Sequence, residues 1–107
     1  MPKRTRDYIE GLIESLKDPR EAAAYLSVHL ENRESDAEEL FLLALRDVAT
    51  AYGVSELAED ARLGRESLYK TLSKTGNPKL STLLTLLDVM GLSLTVNVKN
   101  EKRKRAS

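Results

Sequence analysis

The chain has 107 residues, 41% of them hydrophobic, with 17 basic side chains balancing 17 acidic ones, which bounds it to one domain with one modest core. It contains no cysteine, so disulfides, thiolate zinc sites and cysteine nucleophiles are excluded, and a reducing compartment suits it. No apolar run approaches the ~20 residues that span a bilayer, and the basic start Met1 to Arg6 leads into no signal-type apolar stretch, so a cytoplasmic protein without a membrane partner is expected.

The first predicted helix gathers Tyr8, Ile9, Leu12, Ile13 and Leu16 on one face, with Asp7 as its cap and Asp18-Pro19 as its stop. The same dipeptide opens the second helix, whose body is Arg20 to Leu30. Asp18 suits the N-cap, Pro19 suits the first helical position, where its missing N–H costs nothing, and Glu21 favours the positive end of the dipole. After a polar break from Glu31 to Ser35, Ser35-Asp36-Ala37-Glu38 reads as a capping box. It opens a long helix through Phe41, Leu43, Ala44, Val48 and Ala51, stopped by Gly53 in a left-handed conformation. Ser55 then caps a short helix, Glu56 to Ala61, and only Arg62-Leu63-Gly64 separates it from another helix, Arg65 to about Ser73. Lys74 to Pro78 is a loop. Leu80 to Met90, Leu-rich at helical spacing and ended by Gly91, is the fifth or sixth helix, depending on how the start is counted.

Beyond Gly91, Leu92, Leu94, Val96 and Val98 alternate with Ser93, Thr95, Asn97 and Lys99, the period of a half-buried strand. A lone strand leaves its backbone groups unpaired, so it needs a second copy or another protein beside it, which argues for a homodimer. The expected organisation is an all-α domain of five or six helices with one short C-terminal β-strand over residues 7–98. A basic tail, 1–6, precedes it and a basic disordered tail, 99–107, follows.

Charge is unevenly spread. Residues 7–61 hold 14 Asp and Glu against Lys17, Arg20, Arg33 and Arg46, whereas 62–79 carry Arg62, Arg65, Lys70, Lys74 and Lys79 against Glu66 alone. Such asymmetry points to two partner surfaces. On a wheel of the helix from Arg65, Leu68 and Leu72 fall on one side, towards Leu57, Ala58, Ala61 and Leu63, while Arg65, Glu66, Tyr69, Lys70 and Ser73 face away. A short-turned helix pair of this kind lays its second helix in the major groove of double-stranded DNA. Arg65 suits guanine O6 and N7, Glu66 the cytosine amino group, and Lys70 guanine or a phosphate. Ser55, Ser73, Lys74 and Asn77 suit phosphates, and Ser67 completes the candidate DNA-binding set. The competing account is an ordinary solvated face with Glu66 and Lys70 as an i,i+4 ion pair. The coincidence of a short turn with a basic reversal favours DNA.

Leu57-Ala58, Leu63-Gly64, Arg65-Glu66-Ser67-Leu68-Tyr69-Lys70 and Gly76-Asn77-Pro78 resemble the helix-turn-helix of the phage Cro and lambda-repressor type. With Asp18-Pro19, Ala22-Ala23-Ala24-Tyr25-Leu26 and Phe41-Leu42-Leu43-Ala44-Leu45 upstream, the chain is more specifically similar to the addiction-module antidote proteins over roughly residues 6 to 96. The resemblance implies a lambda-repressor-like fold and a type II antitoxin that neutralises a RelE/ParE-type toxin and represses its own operon. Ribonuclease toxins are basic because they hold RNA, so the acidic helices between Asp7 and Asp60 would suit docking on such a toxin, although a soluble helix surface explains them equally well. Two departures concern the turn: Arg62 stands where Gly is common, and Gly64 where Ser or Thr caps the next helix.

No catalytic constellation, cofactor loop or metal set emerges, and none is expected. His29 is the single histidine, Asp36, Glu38 and Glu39 are explained by a helix start, and Tyr25, Phe41 and Tyr52 read as core. A stand-alone prophage-type regulator and a protein-interaction module without DNA binding are the alternative functions.

Overall fold

The computed structural model describes residues 5–31 and 35–99. The tails at 1–4 and 100–107 and the middle of the polar break, 32–34, lie outside the described residues. Within them the chain is all-helical: α1 (Arg6–Ser15), α2 (Pro19–Glu31), α3 (Ala37–Tyr52), α4 (Val54–Asp60), α5 (Arg65–Thr71) and α6 (Leu80–Val89).

Helix α3 is the hub, packing on α1, α2 and α4, while α4 in turn touches α5 and α6. Its inward residues Ala44, Leu45, Val48 and Ala49 join Leu16, Leu26, Leu57, Leu68, Leu72 and Leu86 in one continuous core. Among the described residues no polar or charged side chain is buried, so this core is held by apolar burial alone. Helix α1 is the loosest layer. It has no buried residue of its own, Leu12 and Ile13 are half-buried, Tyr8 and Ile9 are exposed, and only Leu16 at its C-cap enters the core.

The helix starts separate into those read correctly and those not. Asp18 does open α2, its Oδ1 accepting from the Arg20 N–H at 2.9 Å. Helix α1 is capped by Thr5, whose Oγ1 accepts from the Tyr8 N–H at 3.1 Å, and Asp7 instead sits in the first turn. The expected capping box at Ser35 to Glu38 does not form: Asp36 is the N-cap of α3 but makes no side-chain cap bond. Gly53 departs twice. At φ 116 and ψ 106 it is not the left-handed helical cap expected, and it closes α3 and opens α4 at once, which leaves Ser55 inside α4 rather than capping it. A single-residue elbow of that conformation requires glycine.

Helices α4 and α6 end in the same double turn. After α6 the Leu92 N–H donates to the Leu87 carbonyl at 2.7 Å and the Gly91 N–H to that of Asp88 at 3.0 Å, with Gly91 at φ 80. After α4 the Leu63 N–H donates to the Ala58 carbonyl at 2.8 Å and the Arg62 N–H to that of Glu59 at 3.1 Å, with Arg62 at φ 60. The geometry that favours glycine is thus kept with arginine in place, at a cost of about 1–2 kcal/mol. Arg62→Gly is accordingly expected to stabilise the fold by about 1 kcal/mol, which thermal unfolding would register as a rise of about 4–8 °C. An unchanged or lower midpoint would mean that Arg62 makes a compensating contact.

The expected C-terminal strand is not present. Residues 92–98 have no ladder partner among the described residues, and a strand is defined by its neighbour. The segment runs beside α2 and α6, Leu92 half-buried against the core and Leu94, Val96 and Val98 exposed.

Candidate nucleic-acid interface

Helix α5 is short, and its orientation is set by what it buries. Leu68 and Leu72 are each 1% exposed and meet Leu57 and Ala58 of α4, with Ala61 and Leu63 of the turn packed alongside. The period that buries those leucines turns Arg65, Glu66, Ser67, Tyr69 and Lys70 outward, and all five are exposed. Gly64, extended at φ −72 and ψ 150, opens α5 without a side-chain cap, its carbonyl accepting from the Leu68 N–H at 2.9 Å.

The nine candidate residues divide by position. Arg65, Glu66, Ser67, Tyr69 and Lys70 share α5, and Ser55 is exposed on the first turn of α4. Lys74 and Asn77 are exposed on the segment after α5. Ser73 falls beyond the helix, which ends at Thr71. Half-buried, it donates through Oγ to the Lys70 carbonyl at 2.8 Å, so its hydroxyl is already used in closing α5. Among the described residues no ion pair joins Glu66 to Lys70, so the mutual pairing that would explain both as ordinary surface is not made.

Two features of this surface were not found from the sequence. Arg46 of α3 places its guanidinium carbon 5.5 Å from the centroid of the Tyr69 ring, a cation–π distance, which adds a positive charge beside α5 and restrains the tyrosine. The other is Gly76. The turn after α5, in which the Gly76 N–H donates to the Ser73 carbonyl at 2.9 Å, presses its backbone onto the carbonyls of Thr71 and Lys70, leaving no room for a Cβ.

Away from α5, Tyr25, Asp47 and His29 make bonds within the fold. Tyr25 donates to Asp47 Oδ2 at 2.8 Å, tying α2 to α3, and His29 sits half-buried with Nδ1 2.9 Å from the Tyr25 carbonyl. Tyr25 and Phe41 pack against the core as expected. Tyr52 does not: it is exposed, with a long 3.5 Å contact to Asp60. Partial desolvation, then the charges of Asp60 and Glu56 and the bond to Asp60, hold its phenol above the ordinary value. No helix among the described residues is long and apolar enough to cross a membrane.

The model of the probable addiction module antidote protein family matches residues 11–98. A protein of Haemophilus influenzae described as uncharacterized is 36% identical over 96 residues, which cover 90% of this chain and 94% of the relative. No solved structure matches.

Proposed function

Because the chain belongs to the probable addiction module antidote protein family, and such an antidote has a cognate toxin as its partner, we propose that it is a homodimeric antitoxin that also represses its own operon. In this reading α4 and α5 form a lambda-repressor-like helix-turn-helix, with α5 in the major groove and the toxin of the RelE/ParE type. The observation that carries it is the two-sidedness of α5: Leu68 and Leu72 are buried at 1% each, while Arg65, Glu66 and Lys70 stand exposed and are not needed to hold the helix, and Tyr69 stands exposed beside Arg46. Arg65 and Glu66 occupy the first turn, the part of such a helix that reaches base edges. Lys70 and Lys74 add phosphate contacts, which fix register. Two copies related by a two-fold axis would read half-sites about 34 Å apart.

A gel shift with the promoter of the chain's own operon tests this. Arg65→Ala and Lys70→Ala are each expected to weaken binding by about 1–3 kcal/mol, roughly 5- to 150-fold, with Arg65→Ala also relaxing base preference. Affinity should fall steeply with salt. Absent or salt-insensitive binding would replace the repressor reading with that of a protein-interaction module. The neighbouring reading frame separates the antitoxin from a stand-alone regulator: a small basic protein encoded beside this one supports the pair, and its absence supports the lone regulator.

A further inference from the structure

We infer that residues 92–98 are the seam of the homodimer, pairing antiparallel with the same segment of a second copy about a two-fold axis through Thr95. This rests on the two-copy reading above and specifies its interface. The segment Leu-Ser-Leu-Thr-Val-Asn-Val is a mirror of itself in hydropathy. Antiparallel pairing centred on Thr95 sets Leu92 opposite Val98 and Leu94 opposite Val96 on one face, and Ser93 opposite Asn97 and Thr95 opposite Thr95 on the other. Sliding one copy by a single residue would put each apolar side chain against a polar one.

Exposure and charge agree. Val96 is 96% exposed, Val98 63% and Leu94 42%, so the apolar face of the alternation stands largely in water on a single copy. Leu84 of α6, 43% exposed, borders the same cleft as Leu92 and Leu94 and extends that face. Exposed strand edges are ordinarily blunted by charge or proline, and 92–98 contains neither. Isologous pairing engages one edge of each strand and stops at two copies, where head-to-tail pairing would propagate. The last turn of α6 carries Asp88 and no basic residue, at the negative end of the helix. In this register Lys99 of the second copy lies opposite Gly91, close enough to supply the missing cation.

The full chain has no cysteine, so single cysteines report cleanly. Across an antiparallel pair directly opposed Cα atoms lie about 4.5–5.5 Å apart, within disulfide range, whereas residues offset by four positions are beyond it. Thr95→Cys is expected to link two copies on mild oxidation and Ser93→Cys to remain unlinked. Mixed with Asn97→Cys, Ser93→Cys should form the heterodisulfide. Val96→Asp should sediment as a monomer at a concentration where the parent is a dimer, with unchanged helical circular dichroism because that side chain packs on nothing in its own copy. Linking by Ser93→Cys alone would indicate parallel pairing or an antiparallel register centred on Ser93, and either would overturn the proposal. A dimer in which Thr95→Cys stays reduced would overturn the seam while leaving the homodimer intact, and a monomeric parent would overturn both. Operator binding, measured separately by gel shift, is unaffected by the first two outcomes.

Discussion

Gly76→Ala is expected to destabilise the fold by about 1–3 kcal/mol and, in the proposed DNA-binding reading, to weaken operator binding beyond what the lost stability explains. The added methyl would be driven into the Thr71 carbonyl, with the Thr71 carbon 2.8 Å and the Lys70 oxygen 3.0 Å from it. All three atoms are backbone, at the end of α5, so no side chain can swing aside and the clash is relieved only by moving the helix or the turn. Urea denaturation reads the first effect and a gel shift on the folded fraction the second. Gly11→Ala is the control: nothing lies within 4 Å of its Cβ position in the middle of α1, and replacing a mid-helix glycine there should stabilise by about 0.5–1 kcal/mol. Equal behaviour of the two variants would refute the close approach at Gly76.

Leu57→Ala is expected to cost more, about 2–5 kcal/mol. Leu57 is 0% exposed, and its helix is the one that touches α3, α5 and α6, so the cavity opens where several elements meet and cannot be filled by one of them settling. Domains of this size are commonly stable by only about 5–15 kcal/mol. The denaturant midpoint should therefore fall sharply with little change in slope, and the thermal midpoint by about 10–25 °C. Leu57→Met, which conserves volume, should lose less than about 1.5 kcal/mol. A Leu57→Ala loss no greater than that of Leu57→Met would mean the site collapses freely.

What was legible in the sequence is what short-range chemistry dictates. Asp18-Pro19 announced the start of α2 because an acceptor followed by a residue without an N–H suits a helix entrance. The spacing of Leu68 and Leu72 fixed which side of α5 packs, and therefore which side is available to a ligand. What was not legible depends on contacts between distant parts of the chain or on choices between neighbouring candidates. Thr5 and Asp7 both offer cap acceptors, and only the backbone decides between them. Arg46 and Tyr69 are 23 positions apart and meet because α3 and α5 are brought together through α4. The strand pattern at 92–98 is real as a pattern, but nothing among the described residues pairs with it.

The two-sidedness of α5 bears on how such a protein can diversify. In the proposed DNA-binding reading, stability would reside in Leu68 and Leu72 and partner choice in Arg65, Glu66 and Lys70, so a duplicated copy could drift towards a new recognition sequence without passing through unfolded intermediates. Tyr69 is the exception. Its ring lies against Arg46, and a change there is expected to require a matching change on α3, which would make it the slowest of the proposed contact positions to evolve.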